Sequence, residues 1–406
     1  MSEQSPAIRL TVSAGARHHP LPAHRPVVPY GATPETASFL DPTVRLTRPE
    51  SITVGRHVYI APFNRLDGSD GPIAIGDSAD LQDNVTVFGA ARRSSEEQQR
   101  LAAIGLANHD GVTIGARVIL AHGASVKGPA RLGDDQEGAA IFLGFNAEVD
   151  GAILERNTAV GILGRVGPGV RLREGMSVLP GQSVVTQEEA DDPRQGKVRL
   201  ITGADVAFHD AVIAVNTALA REYSRLYYDD PANVTGINYN PGQTEFNPPR
   251  TLPTLDGQPA RDPAFRNRII GDVRLADTRA ALDAALGDAI ALRADEGPTF
   301  TVGQIARMAD NVTFHALEHT GIQIGHQVRY GAGVVVHGGN WAGTQATLIE
   351  DNVTIGDGAV VFRSRVGQGA TIGRRCVIVG SDVPPGANIP DNTLLIDGQH
   401  AGQVAW

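Results

Sequence analysis

One cysteine, Cys376, is all the thiol in 406 residues, which excludes an internal disulfide and a structural thiolate zinc site. Aromatic residues make up only 5% of the chain, and no apolar run approaches the ~18 residues of a membrane-spanning helix. Basic residues are outnumbered, 35 against 45 acidic, and form no run that could neutralise a row of phosphates. Nucleic acid and a membrane span are therefore not expected partners. The start, MSEQSPAIRL, lacks the apolar core of a signal peptide, so a reducing cytoplasm is the expected setting.

What is abundant is glycine, 47 residues, with 25 prolines and a hydrophobic fraction of 41%. The apolar residues fall in short runs. A six-residue unit recurs, an aliphatic residue followed by a small one and four further positions: ITVGRHVYI, IAIGDSADL, VTIGARVIL and IFLGFNAEV, then IQIGHQVRY, VTIGDGAVV and ATIGRRCVIVG. This is a hexapeptide repeat, in which strands of two or three residues, broken at glycine-tolerant corners, stack as triangular coils of roughly three units each. The aliphatic residue points inward. An antiparallel sandwich would need longer, alternating strands.

The repeats form two blocks. Between them ADVAFHDAVIAVNTALAREYSRLYYDD has apolar residues at helical spacing from Ala204 to about Asp229, with Gly203 and Pro231 just outside. A Pro-, Gly- and Asn-rich stretch follows and reads as a strap, and a short helix over 277–287 opens the second block. The expected organisation is an extension over 1–29, a first β-helix with its helix over 30–230, a strap over 231–262 and a second β-helix over 263–406.

The blocks are relatives of each other. DNVT at 83–86 returns at 310–313, and NRLDG from Asn64 is echoed by LRADEG from Leu292, so that Arg65 and Asp67 answer to Arg293 and Asp295. IGARVILAHGASVKG from Ile114 is echoed by IGHQVRYGAGVVVHG from Ile324, which pairs His122 with Ala332 and Lys127 with His337. Phe88 answers to His315 in the same way. Block one thus holds one imidazole and block two holds the other two. Three neutral histidines with an open fourth position are what a catalytic divalent metal needs, because water held there has its pKa lowered to about 7. A three-histidine set accepts Zn²⁺, Fe²⁺ or Co²⁺.

Block two carries RADEG (293–297), HALE (315–318) and VHGG around His337. Block one carries RLDG, LQDNVTVF, LAHGASVKGPA and the helix AVIAVNTALARE. On these motifs most of the chain resembles the γ-class carbonic anhydrase family. The resemblance implies an all-β-dominated fold of two left-handed parallel β-helix domains in tandem, and trimers with metal at subunit interfaces. It implies ligands His315 and His337 from block two and His122 from a block one, with zinc as the first candidate. Gln82, Glu296 and Asn216 match active-site positions, and Glu318 a carboxylate that transfers protons. Arg65 with Asp67, and Arg293 with Asp295, resemble inter-subunit pairs; as exposed charges each would add only about 0–1 kcal/mol and would set register between subunits.

The implied activity is reversible hydration of CO₂ to bicarbonate by a metal-bound hydroxide. A ring of three cannot alternate two kinds of block perfectly, so mixed neighbours and at most one metal per chain are expected. Two other readings stay open: an acyltransferase using His122 or His337 alone as a base, and a non-catalytic assembly subunit in which the lost ligands are decay. One departure from the family pattern concerns spacing. His315 and His337 are 22 residues apart, whereas Phe88 and Lys127 are 39 apart, so block one carries a loop that block two lacks. His319 matches no ligand position.

Overall fold

The computed structural model describes residues 8–9, 38–41, 43–134, 138, 140–229, 237–239, 266–296 and 298–406. The chain divides into two compact units, Met1–Asp229 with Trp406, and Asp230–Ala405. Apart from residues 8–9 and 237–239, the expected N-terminal extension and strap lie outside the described residues.

Each unit is a parallel β-helix in which successive short strands rotate through three sheets. Among the described residues these sheets have 7, 8 and 7 strands in the first unit and 9, 6 and 5 in the second. One ladder shows the rule: Ile52–Val54 lies beside Ile73–Ile75, then Val112–Ile114, then Ala130–Leu132, all parallel. Ile52 sits opposite Ile73, and Ile73 opposite Val112, so like aliphatics stack from coil to coil. Side chains alternate along each strand, so Ile52 and Val54 are buried in the core while Thr53 between them faces outward.

Two glycines of the repeat do a different job from the one expected. Gly55 and Gly325 do not occupy the left-handed region; a Cβ there would lie 2.5 Å and 2.3 Å from the carboxylates of Asp77 and Asp351 in the next coil. Those carboxylates accept the backbone N–H of Arg56 and His326 at 2.8 Å and 2.6 Å. At these two corners glycine makes room for a carboxylate, while Asn84, Asn146, Asn311 and Asn352, with φ between 53° and 61°, share the left-handed positions with other glycines such as Gly123 and Gly333.

In each unit an antiparallel strand covers the end of one ladder: Val198–Leu200 on Met176–Val178, and Gln399–Gln403 on Thr393–Ile396. Helix α1, Ser95–Ala103, was not expected; it lies in the block-one loop and is capped reciprocally by Ser94 and Glu97. A short α2, Gln187–Asp191, uses Thr186 and Glu189 in the same way. Helix α3 spans Gly203–Asp229 and packs on the strands Phe39–Leu40 and Tyr59–Ile60, where Phe39, Tyr59 and Tyr223 stack. Helix α4, Arg279–Ala285, does not open the second block as expected: the strands Asn267–Gly271 and Val273–Leu275 precede it, and Leu282 inserts into the core. No helix among the described residues is long and apolar enough to cross a membrane.

Two stability predictions arise here. Tyr330 is buried in the second core against Phe314, and its hydroxyl has no hydrogen-bond partner among the described residues. Tyr330→Phe removes that desolvation cost and is expected to stabilise the unit by about 1 kcal/mol in denaturant titration. His209 on α3 stacks on Phe142 with ring centroids 4.9 Å apart. Burial lowers its pKa to about 4, against the opposing pull of Asp205 and Asp210 and with the help of Arg199. The unfolded chain therefore protonates His209 first, near pH 6.5. About 3 kcal/mol of stability is expected to be present above that pH and lost on the way down to about pH 4. His209→Phe should remove this part of the pH dependence.

Candidate metal centre

The second unit brings two histidines together by register. His315 lies on Thr313–Ala316 and His337 on Val335–Gly338; the parallel ladder sets them opposite each other, with ring centroids 5.5 Å apart at 73°. Their neighbours Phe314 and Val336 point into the core, so both imidazoles leave the coil on its outer face, yet both are buried. The His337 ring also meets Phe362 of the next coil edge-on at 5.2 Å.

Each ring is held at one nitrogen. His337 Nδ1 donates to the Gly338 carbonyl at 3.0 Å, which in the neutral ring puts the lone pair on Nε2. His315 Nε2 is 3.1 Å from Glu296 Oε1 and 3.2 Å from Asp295 Oδ1, which directs the lone pair of its neutral form to Nδ1. Burial and Arg293 push the His315 pKa down, but Glu296 and Asp295 prevail and raise it to about 9. Asp295, Glu296 and His315 hold their donor atoms within 4.8 Å of one another, a group able to hold a metal ion.

The first unit supplies His122, fully buried just after the strand Val118–Leu120 and stacked on Phe145 at 5.5 Å. Its Nδ1 is 3.0 Å from Asp83 Oδ2. Gln82, also buried, donates from Nε2 to Asp80 at 3.1 Å, and Asn216 on α3 donates from Nδ2 to the Val212 carbonyl at 2.9 Å. Gln82 Oε1 and Asn216 Oδ1 are buried with no hydrogen-bond partner among the described residues. Phe88 stands opposite Lys127 in the register that places His315 opposite His337. Lys127 is pinned to Glu148 at 2.6 Å, and Arg165 holds the other Glu148 oxygen at 2.9 Å. An ion pair at Lys127 and an apolar ring at Phe88 stand where the second unit has His337 and His315.

The two Arg/Asp pairs differ from expectation. Arg65 is 51% exposed, with Asp67 at 3.1 Å, but Arg293 and Asp295 are both 0% exposed and 2.5 Å apart. The second pair is not a surface pair, and its carboxylate serves His315. The ladder also shifts their correspondence: Arg65 is opposite Thr86, whereas Ala291, two residues before Arg293, is opposite Thr313. A shift of two keeps the same face of the strand and escapes a motif comparison. Glu318 lies on the turn after the His315 strand, 2.8 Å from the 68% exposed His319. Sequence reasoning missed Asp83, although its place in QDNV beside a histidine-bearing coil was a signal, and it missed His319 as a partner of Glu318.

A carbonic anhydrase from Methanosarcina thermophila is 32% identical over 217 residues, a match covering 49% of this chain and 79% of that protein. The chain belongs to the γ-class carbonic anhydrase family. Carboxysome assembly proteins named CcmM also match this γ-class chain, from Synechococcus elongatus at 25% identity over 38% of the chain, and from Nostoc at 26% over 34%. The chain spans only 30% and 24% of those two relatives. No protein-family model matches. Among solved structures, a hexapeptide transferase family protein from Anaplasma phagocytophilum is 18% identical with a TM-score of 0.28, over 46% of this chain and 93% of that one. The fold assignment rests on the ladders themselves.

Proposed function

We propose that the protein is a metal-dependent carbonic anhydrase that interconverts CO₂ and bicarbonate, with one divalent metal, zinc first, held by His315 and His337 of a second block and His122 of a first. The observation that carries this reading is that each of the three imidazoles is engaged at one ring nitrogen by an acceptor of its own unit. In the neutral ring each therefore presents a lone pair at the other. A divalent ion with three imidazoles supplies Lewis acidity and lowers the pKa of water at its open position to about 7.

The residues around it divide the remaining work. Gln82 Oε1 and Asn216 Oδ1, buried acceptors without a partner among the described residues, orient a small polar ligand by accepting hydrogen bonds from it. Glu296 holds His315. Glu318, on an exposed turn beside His319, receives the proton and passes it to solvent. The acting form is a homo-oligomer, a trimer of two-domain chains with mixed block neighbours and at most one metal per chain.

The test is CO₂ hydration and metal content on full-length protein purified without chelators. Bound metal of at most one per chain is expected, with activity lost to a chelator and restored by Zn²⁺. Two metals per chain, or turnover without metal, would overturn the reading. The likeness to CcmM supports a second reading, a non-catalytic assembly subunit, in agreement with the Lys127 and Glu148 ion pair standing where block two has a ligand. That reading predicts no hydration at any metal loading.

A further inference from the structure

We propose that Asp83 is the positioning residue of His122: its carboxylate fixes the Nδ1–H tautomer and so makes Nε2 the ligating nitrogen, a role that rests on the metal reading above. Asp83 and His122 are both fully buried. The His122 Nδ1 atom faces two groups of that one residue, the carboxylate Oδ2 at 3.0 Å and the backbone N–H at 3.3 Å. The two demand opposite tautomers. The carboxylate requires a proton on Nδ1, whereas the backbone N–H requires Nδ1 to be bare. A charge-assisted hydrogen bond is shorter and roughly twice as strong as a neutral one, so the carboxylate wins and the proton resides on Nδ1.

The repeat provides an internal control. Asp310 occupies the matching place in the second DNVT, where the counterpart of His122 is Ala332. There the aspartate is exposed and accepts the backbone N–H of Asp288 at 3.0 Å, the ordinary corner duty of this fold. Only the copy that faces an imidazole is withdrawn completely from solvent.

Selective ¹⁵N-histidine NMR of the full-length, metal-free protein at about pH 8, with His122 assigned by His122→Gln, is expected to find the proton on Nδ1. Asp83→Asn offers an amide N–H beside the backbone N–H, so the tautomer should invert. Zinc affinity, read by chelator competition with a thermal melt as the folding control, should then fall about 10- to 100-fold. A wild-type His122 protonated on Nε2 overturns the proposal even if Asp83→Asn does not fold. So does an Asp83→Asn protein with unchanged tautomer and affinity while His122→Gln loses zinc. Undiminished zinc binding by His122→Gln would instead defeat the metal reading and, with it, the role assigned to Asp83.

Discussion

His315→Ala is expected to reduce bound metal from its wild-type level, at most one per chain, to near none and CO₂ hydration by more than about 100-fold, because residues that merely hold a ligand already cost 10- to 100-fold. His122→Ala should do the same, although that residue belongs to the other block. The equality is informative: if the second unit's Asp295, Glu296 and His315 held the ion alone, His122→Ala would leave metal content unchanged. The charges in that group nearly balance without an ion, since Arg293 is paired with Asp295 and Glu296 faces a His315 whose pKa is raised. A cation bound at His315, in that group or in the three-histidine set, would have to displace the proton those carboxylates stabilise, so metal content should fall as pH drops below about 9. Lys127→Ala and His319→Ala serve as controls; Lys127 is held by Glu148 and His319 is exposed beside Glu318, so neither should change metal content. Metal analysis of the four variants decides the matter.

Arg93→Met is expected to destabilise the first unit by about 3 kcal/mol, the low end of the cost of breaking a buried ion pair, because Arg165 at 3.9 Å stays beside Asp150. Arg93 is only 6% exposed and lies 2.6 Å from Asp150. The same guanidinium donates to the Gly128 carbonyl at 2.6 Å, so its loss also strips a backbone acceptor. It stands at the entry to α1, and the helix behind it is seated closely: a Cβ on Gly151 would lie 3.2 Å from both Arg93 and Leu101, and one on Gly169 would lie 2.3 Å from Arg100. The measurements are denaturant unfolding and hydrogen exchange along residues 95–103, where protection should fall furthest. Asp150→Asn should cost a comparable amount, and the double variant less than the sum, as for two members of one pair. Full additivity would mean that the pair contributes nothing as a pair.

This loop is also what separates the two blocks at the level of the site. The 39 residues from Phe88 to Lys127 include α1 and its arginine latch, while the 22 from His315 to His337 hold only the coil that carries His315 to its partner strand. The extra length was legible in the sequence. The helix within it was not, because SEEQQRLAA lacks an apolar stripe and is held by its capping box and by Leu101.

The sequence by itself determined the architecture and showed that one block carries one imidazole, and the other two, at aligned positions. A period of six with an inward aliphatic admits few folds, and two aligned copies expose every substitution between them. The histidine positions followed from that comparison alone. Only the tertiary structure decided what each polar group faces. It withdrew Arg293 and Asp295 from solvent, shifted them two residues along the ladder relative to Arg65 and Asp67, set Asp83 against His122, and put Gly55 and Gly325 against corner carboxylates. The physical reason is common to all four. Periodicity reports which side of a strand a residue occupies, but burial, register and hydrogen-bond partner depend on coils some twenty residues away, and a two-residue slip leaves that periodicity unchanged.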